Sequence, residues 1–134
     1  MHDIRFIREH PEKFTAAMQR RSVTVTADHI LQIDGQRRGL QAEIQDMQSR
    51  RNAASRDIGA RKSKGEDDEH LIAEVNNIKA KLPQLEGEEK ALAEKLEGFL
   101  LELPNILDET VPDGADEADN ALFRSIGDIP KFDF

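Results

Sequence analysis

Six basic side chains fall within a short stretch of this chain: Arg50, Arg51, Arg56, Arg61, Lys62 and Lys64. Guanidinium forks and ammonium groups in such a run can satisfy backbone phosphate oxygens, and counterion release then makes the contact sensitive to salt. The same run can equally be the solvated flank of a coiled coil, its bases paired with acids on a neighbouring helix. At about 100° per residue, Arg56 points almost directly away from the apolar stripe of its helix, out of a partner helix's reach. Arg50 and Lys62 flank that stripe on opposite sides. The basic groups are spread around a helix, and both readings stay open at this point.

Other chemistry is sparse. The four histidines (His2, His10, His29, His70) are scattered, with no pair at metal-ligand spacing. No phosphate-binding glycine loop and no nucleophile motif is present. The absence of cysteine removes disulfides and cysteine-based zinc sites. Asp67-Asp68-Glu69 beside His70 reads as a charged helix start, with acids in its first turn, rather than a metal cluster. No catalytic, cofactor-binding or metal-ligating residue is assigned.

The elements that carry the basic run are two long amphipathic helices. Ile30, Ile33, Arg37, Leu40, Ile44, Met47, Arg51, Ala54, Ile58 and Arg61 recur at alternating three- and four-residue spacing. Leu71, Val75, Ile78, Leu82, Leu85, Glu89, Leu92, Leu96, Phe99 and Leu103 do the same. Each set forms a heptad seam. The short glycine-containing turn at 64–67 folds the second helix back on the first as an antiparallel hairpin. The predicted fold is all-α: a coiled-coil hairpin over about 27–103, a short N-terminal helical segment at its base, and an extended tail. The first arm helix, about 27–63, would be on the order of 55 Å long.

Local signals refine this outline. Asp3 can cap a short helix through Ile4, Phe6 and Ile7, and Pro11 and Glu12 suit the first turn of a second helix. Thr26 or Asp28 can cap the first arm helix. Pro83 sits inside the returning helix, where about 3 kcal/mol is at stake, and a kinked single helix is expected rather than two helices. Folding at the tip brings Arg61 near Asp68 or Glu69, and Arg51 near Glu74. Arg37, Arg51 and Arg61 on the seam can fix register, or lay their stems along it while their heads reach outward.

At 134 residues the chain suits one ordinary domain, and its 37% apolar and 34% charged content suits a thin rod with a one-dimensional core. The net charge of −8 is unevenly placed. Residues 1–35 balance five acids with five bases, whereas residues 36–65 hold eight bases and three acids. Residues 66–103 hold four bases and eleven acids, and the tail from Pro104 holds two and eight. One helix carries the excess positive charge, and a local field matters more than the sum. With no signal-peptide pattern and no apolar run long enough to span a bilayer, a soluble cytoplasmic protein is expected, with no membrane partner.

Several runs resemble a known family. These are Asp3-Ile4-Arg5-Phe6-Ile7-Arg8-Glu9-His10-Pro11-Glu12, Ile33-Asp34-Gly35-Gln36-Arg37-Arg38 and Arg50-Arg51-Asn52-Ala53-Ala54-Ser55-Arg56-Asp57-Ile58-Gly59. The tail adds Leu103-Pro104-Asn105-Ile106, Val111-Pro112-Asp113-Gly114, Asp119-Asn120 and Gly127-Asp128-Ile129-Pro130-Lys131-Phe132-Asp133-Phe134. In this order they resemble the start of bacterial seryl-tRNA synthetases, class II aminoacyl-tRNA synthetases. Pro83 is the departure from the family pattern, and bears on the straightness of the returning helix.

The resemblance implies that residues 1–103 are a helical arm that holds the long variable arm of serine tRNA. It also implies that 104–134 are a linker and the start of a catalytic domain. Arg50, Asn52, Ser55, Arg56, Lys62, Lys64 and, on the returning helix, Lys79 are the tRNA-binding candidates carried over. ATP and a divalent metal are expected for the full-length enzyme, and no cofactor for the segment in hand, which would be inactive alone. The family dimer is built mainly by the catalytic domain, so a monomer or weak self-association is expected of this segment. Two rivals are a structural coiled-coil hairpin that grips a protein partner and a free-standing RNA-binding module.

Overall fold

The computed structural model describes residues 2–128 and 130–133; Met1, Ile129 and Phe134, the last two within the predicted linker, lie outside them. Among the described residues four α-helices follow in order: α1 (Ile4–Glu9), α2 (Pro11–Arg20), α3 (Ala27–Lys64) and α4 (Glu69–Glu102). Among the described residues there is no strand, as the sequence pattern predicts. The 38 residues of α3 make a rod about 57 Å long, and α4 packs back along it.

The start signals act as their chemistry requires. The Asp3 carboxylate accepts the backbone N–H of Arg5 at 2.8 Å and caps α1, and Pro11 opens α2. The cap of α3 departs from expectation. Thr26 holds the N-cap position, yet neither Thr26 nor Asp28 supplies the capping bond; the Thr15 hydroxyl accepts the Ala27 N–H at 3.1 Å instead. A helix packed alongside has taken over the role of the local cap.

At the tip, Gly65 adopts φ 69°, ψ 24°, and the N–H groups of Gly65 and Glu66 return to the carbonyls of Lys62 and Arg61. This pairing closes the end of α3 as a Schellman motif, for which only glycine fits without strain. Gly65→Ala is expected to cost about 1 kcal/mol, read as a lower urea midpoint with unchanged helicity. The turn occupies Gly65–Asp68, one residue beyond the predicted span.

Every predicted seam position is buried or half-buried, and Ala54, Val75, Ile78 and Leu82 close the middle of the hairpin. The main core sits at the root. Ile7, Phe14 and Met18 of α1 and α2, Ala27, Ile30 and Ile33 of α3, and Leu96 and Leu100 of α4 form one cluster. Each large apolar side chain buried there contributes about 1.5–3 kcal/mol, which makes the root the anchor of an otherwise thin rod. Helix α4 runs unbroken through Pro83, whose exposed position leaves the unpartnered Lys79 carbonyl open to water.

One polar group lies in the root, and the sequence reading did not single it out. Asp34 is 4% exposed, and its two carboxylate oxygens accept Nε and Nη2 of Arg8, each at 2.8 Å. The fork ties α1 to α3, and the guanidinium is held more firmly protonated by that bond. Beyond Glu102 the described residues are irregular apart from a 3-10 turn at Glu117–Asp119. Its first part is strapped to the root: His2 Nε2 meets the Pro104 carbonyl at 2.8 Å, and Arg20 donates to the Val111 carbonyl and the Asp113 carboxylate, each at 2.7 Å. Farther along, Leu122, Phe123, Ile126 and Phe132 are exposed.

Candidate nucleic-acid interface

The basic run sits on the outer half of α3, and cross-hairpin pairs fix what stands beside it. Arg50 donates from Nη2 and Nε to Oε1 of Glu74, at 2.6 and 3.1 Å. This corrects the expectation for Arg51: Arg50 takes Glu74, because it projects into the groove beside the seam while Arg51 lies half-buried on it. Arg61 likewise finds the Asp67 carbonyl at 3.1 Å rather than the carboxylates of Asp68 or Glu69. The Asp67 carboxylate is occupied as an acceptor for the Glu69 N–H, which supports the helix-start reading of that acidic run. Among the described residues no group of histidine and acidic side chains is placed to hold a metal.

Arg37 and Glu89 are both seam residues, and they meet at 2.8 Å with both heads partly covered. Arg37 therefore sets register across the seam. Glu89 also accepts from Gln41 at 2.7 Å, and the two donors hold its carboxyl below the usual carboxylate range, Arg37 contributing most. A depressed carboxyl stabilises the fold above its unfolded value near 4.5, and that stabilisation is lost as pH falls through the lower folded value. Acid titration of the urea midpoint from pH 6 to pH 3 should accordingly show a smaller drop for Glu89→Gln than for the wild type. Equal drops would remove Glu89 from the pH response.

The seam divides the hairpin into two flanks. On one, Met47, Arg50, Glu74, Asn77 and Lys81 line a shallow groove. Glu43 and Asp57 stand seven residues from Arg50 and Asp46 four, so all three acids of this part of α3 share its side. On the other flank Gln41, Gln45 and Gln48 line a groove with Glu86 and Glu89. Asn52 and Ser55 continue that row at four- and three-residue steps, and Lys62 follows seven residues on, two turns along the same face. Lys79, about 200° round α4 from Lys81, falls on this second flank.

The seven carried-over candidates therefore separate. Asn52, Ser55, Lys62 and Lys79 share a flank whose α3 side carries no carboxylate, and Arg56 lies on the outer back of α3 adjoining it. Arg50 and Lys64 lie on the opposite flank, where Glu74 already holds Arg50 and keeps its guanidinium firmly protonated. Arg56 makes only a long bond to the Asn52 carbonyl, at 3.4 Å, which leaves its charge available.

Residues 1–107 match the family model described as the seryl-tRNA synthetase N-terminal domain. The chain belongs to that family. Among curated relatives, the serine–tRNA ligase of Novosphingobium aromaticivorans is 48% identical over 136 aligned residues, and that of Zymomonas mobilis 46% over 136. Each alignment takes in all of this chain and 32% of the relative, so the chain spans about a third of the length of the proteins it matches. The seryl-tRNA synthetase of Pyrococcus horikoshii, in a crystal structure complexed with ATP, superimposes with a TM-score of 0.79 at 35% identity. That match covers 89% of this chain and 27% of the other. The hairpin arm is thus the architecture of this family's N-terminal domain, and the resemblance read from the sequence holds along the whole chain.

No described helix is long and apolar enough to cross a membrane.

Proposed function

We propose that this chain is the tRNA-docking arm of a serine–tRNA ligase. In this reading α3 and α4 hold the long variable arm of serine tRNA by its shape and backbone, and the acceptor end thereby reaches a catalytic domain for ATP-dependent seryl transfer. Residues 1–103 form the arm, and 104–134 lead into that domain. Assembly into a homodimer would belong to the domain beyond, and the cytoplasm is where such an enzyme meets its tRNA.

The observation that carries the reading is the flank of α3 from Gln41 to Lys62. In a chain of net charge −8, its α3 side carries hydrogen-bonding side chains and Lys62 with no α3 carboxylate, while Lys79 joins it from α4 and Arg56 adjoins it on the back. A rod about 57 Å long presenting such a flank suits a nucleic-acid helix, which is held by many backbone contacts rather than one deep pocket. The rival hairpin that grips a protein partner would need an apolar stripe. Across α3 and α4, the exposed large apolar side chains among the described residues are Ile72 and Leu101, near opposite ends of α4, and they form no stripe.

Binding of serine tRNA, with and without its long variable arm, across a salt series tests the proposal. Binding that weakens when that arm is deleted, and falls with salt, is the expected result. Equal binding to both RNAs would show that this segment supplies only general electrostatic attraction.

A further inference from the structure

The hairpin packs as two blocks with a thin section between them. Among the described residues none is buried between Asp34 and Ala54 on α3, or between Leu82 and Leu96 on α4. The pairs Arg37–Glu89 and Arg50–Glu74 set the register. It puts residues 35–43 of α3 level with about 83–90 of α4, between the root cluster on one side and Val75, Ile78 and Leu82 on the other. The seam inside this section holds the Arg37–Glu89 pair and one level of leucines, Leu40 and Leu85, all half-buried.

The backbone is weakest over the same residues. Gly35 and Gly39 lie in α3 and Gly87 in α4, and the register places Gly39 level with Gly87. A Cβ at any of the three would meet nothing within 4 Å, so packing does not demand glycine there. Each glycine nevertheless weakens its helix about fivefold relative to alanine. Pro83 removes a further helical bond at the edge of the section. Bends in long helices fall at proline and at paired small residues of this kind. We infer that the arm is jointed at this level, and that the outer hairpin swings there on the root as one body. Close-packed side chains resist such a change of angle. The Arg37–Glu89 pair, open to water on one side, follows it and keeps the two helices in register. Lys64 stands 25 residues beyond Gly39, about 37 Å along α3, so a bend of about 20° carries the tip about 13 Å. Such motion belongs to the free chain and does not depend on what the arm binds.

Residual dipolar couplings of the backbone amides, measured on this chain in a dilute liquid crystal, report the order of each block separately. The root is read from α1, α2 and the adjoining ends of α3 and α4, and the outer block from residues 44–64 and 69–82. A joint predicts two degrees of alignment, differing by about a third for motion within a cone of about 40°. In the Gly35→Ala/Gly39→Ala/Gly87→Ala variant the two should agree to within about a tenth. Gly98→Ala is the control: its added Cβ also meets nothing within 4 Å, but it lies at the root, so the difference should persist. One shared alignment in the wild type, or a difference that survives the triple variant, would overturn the joint. Loss of the difference in Gly98→Ala would overturn its placement at Gly39 and Gly87.

Discussion

Replacing Arg56, Lys62 and Lys79 together by alanine should flatten the salt dependence of tRNA binding. Each lies on or beside the flank whose α3 side has no carboxylate, and none is engaged by an acidic side chain among the described residues. If each contacts one phosphate, the variant's log–log salt slope is shallower by about 2–3. Between 50 and 200 mM salt, the wild type then loses about 16–64 times more affinity than the variant does. Arg50→Ala is the informative control. Its charge is already spent on Glu74 across the opposite groove, so its removal should change the slope by well under one. A steep loss from Arg50→Ala, with the triple variant unchanged, would put the RNA on the wrong side of the hairpin.

The second large effect is on folding. Arg8→Ala leaves the Asp34 carboxylate in the root with both oxygens unpaired, where its side chain is 5% exposed. Breaking a fully buried pair costs about 3–5 kcal/mol; Arg8 is itself 36% exposed, water reaches one side of the fork, and about 2–3 kcal/mol is expected. Arg8→Met with Asp34→Leu removes both charges and fills the space with apolar atoms, so the double variant should recover most of that loss. Urea midpoints of the wild type, Arg8→Met, Asp34→Leu and the double form a complete cycle. A double variant as unstable as Arg8→Ala would mean that the loss comes from the missing pair itself, and not from an unpaired carboxylate left in the root.

These two regions differ in how openly the sequence declares them. The hairpin was legible because twenty seam residues keep one spacing through two helices and a single Gly65 turn reverses the chain. Even Arg37 and Glu89, which interrupt the seam chemically, keep its period and meet each other across it. The root was half legible. Phe14 and Met18 declare an apolar face, but the role of Asp34 emerges only once α1 folds across α3. The available signal was its place seven residues after Ala27 and four after Ile30, on a face otherwise buried. Thr26 shows the converse: a good capping residue is passed over because tertiary packing brings Thr15 to the same N–H.

Helical spacing already puts Arg50 and Lys62 on opposite sides of the seam, but as candidates carried over by resemblance Arg50, Lys62 and Lys64 stood as equals. Sorting them requires the flanks, and the flanks follow from the register that Arg50–Glu74 and Arg37–Glu89 establish. The polar stripe from Gln41 to Ser55 was open to the same counting that found the seam. Asn52 and Ser55 were carried over by resemblance, whereas Gln41, Gln45 and Gln48 carry no charge and stand outside the basic run.

A hydroxyl-radical footprint of this chain on serine tRNA tests the docking claim most directly. Docking predicts protection of the ribose backbone along the long variable arm, with the anticodon stem and loop left fully cleaved. Protection of the anticodon, or uniform cleavage throughout under conditions where the complex forms, would contradict it.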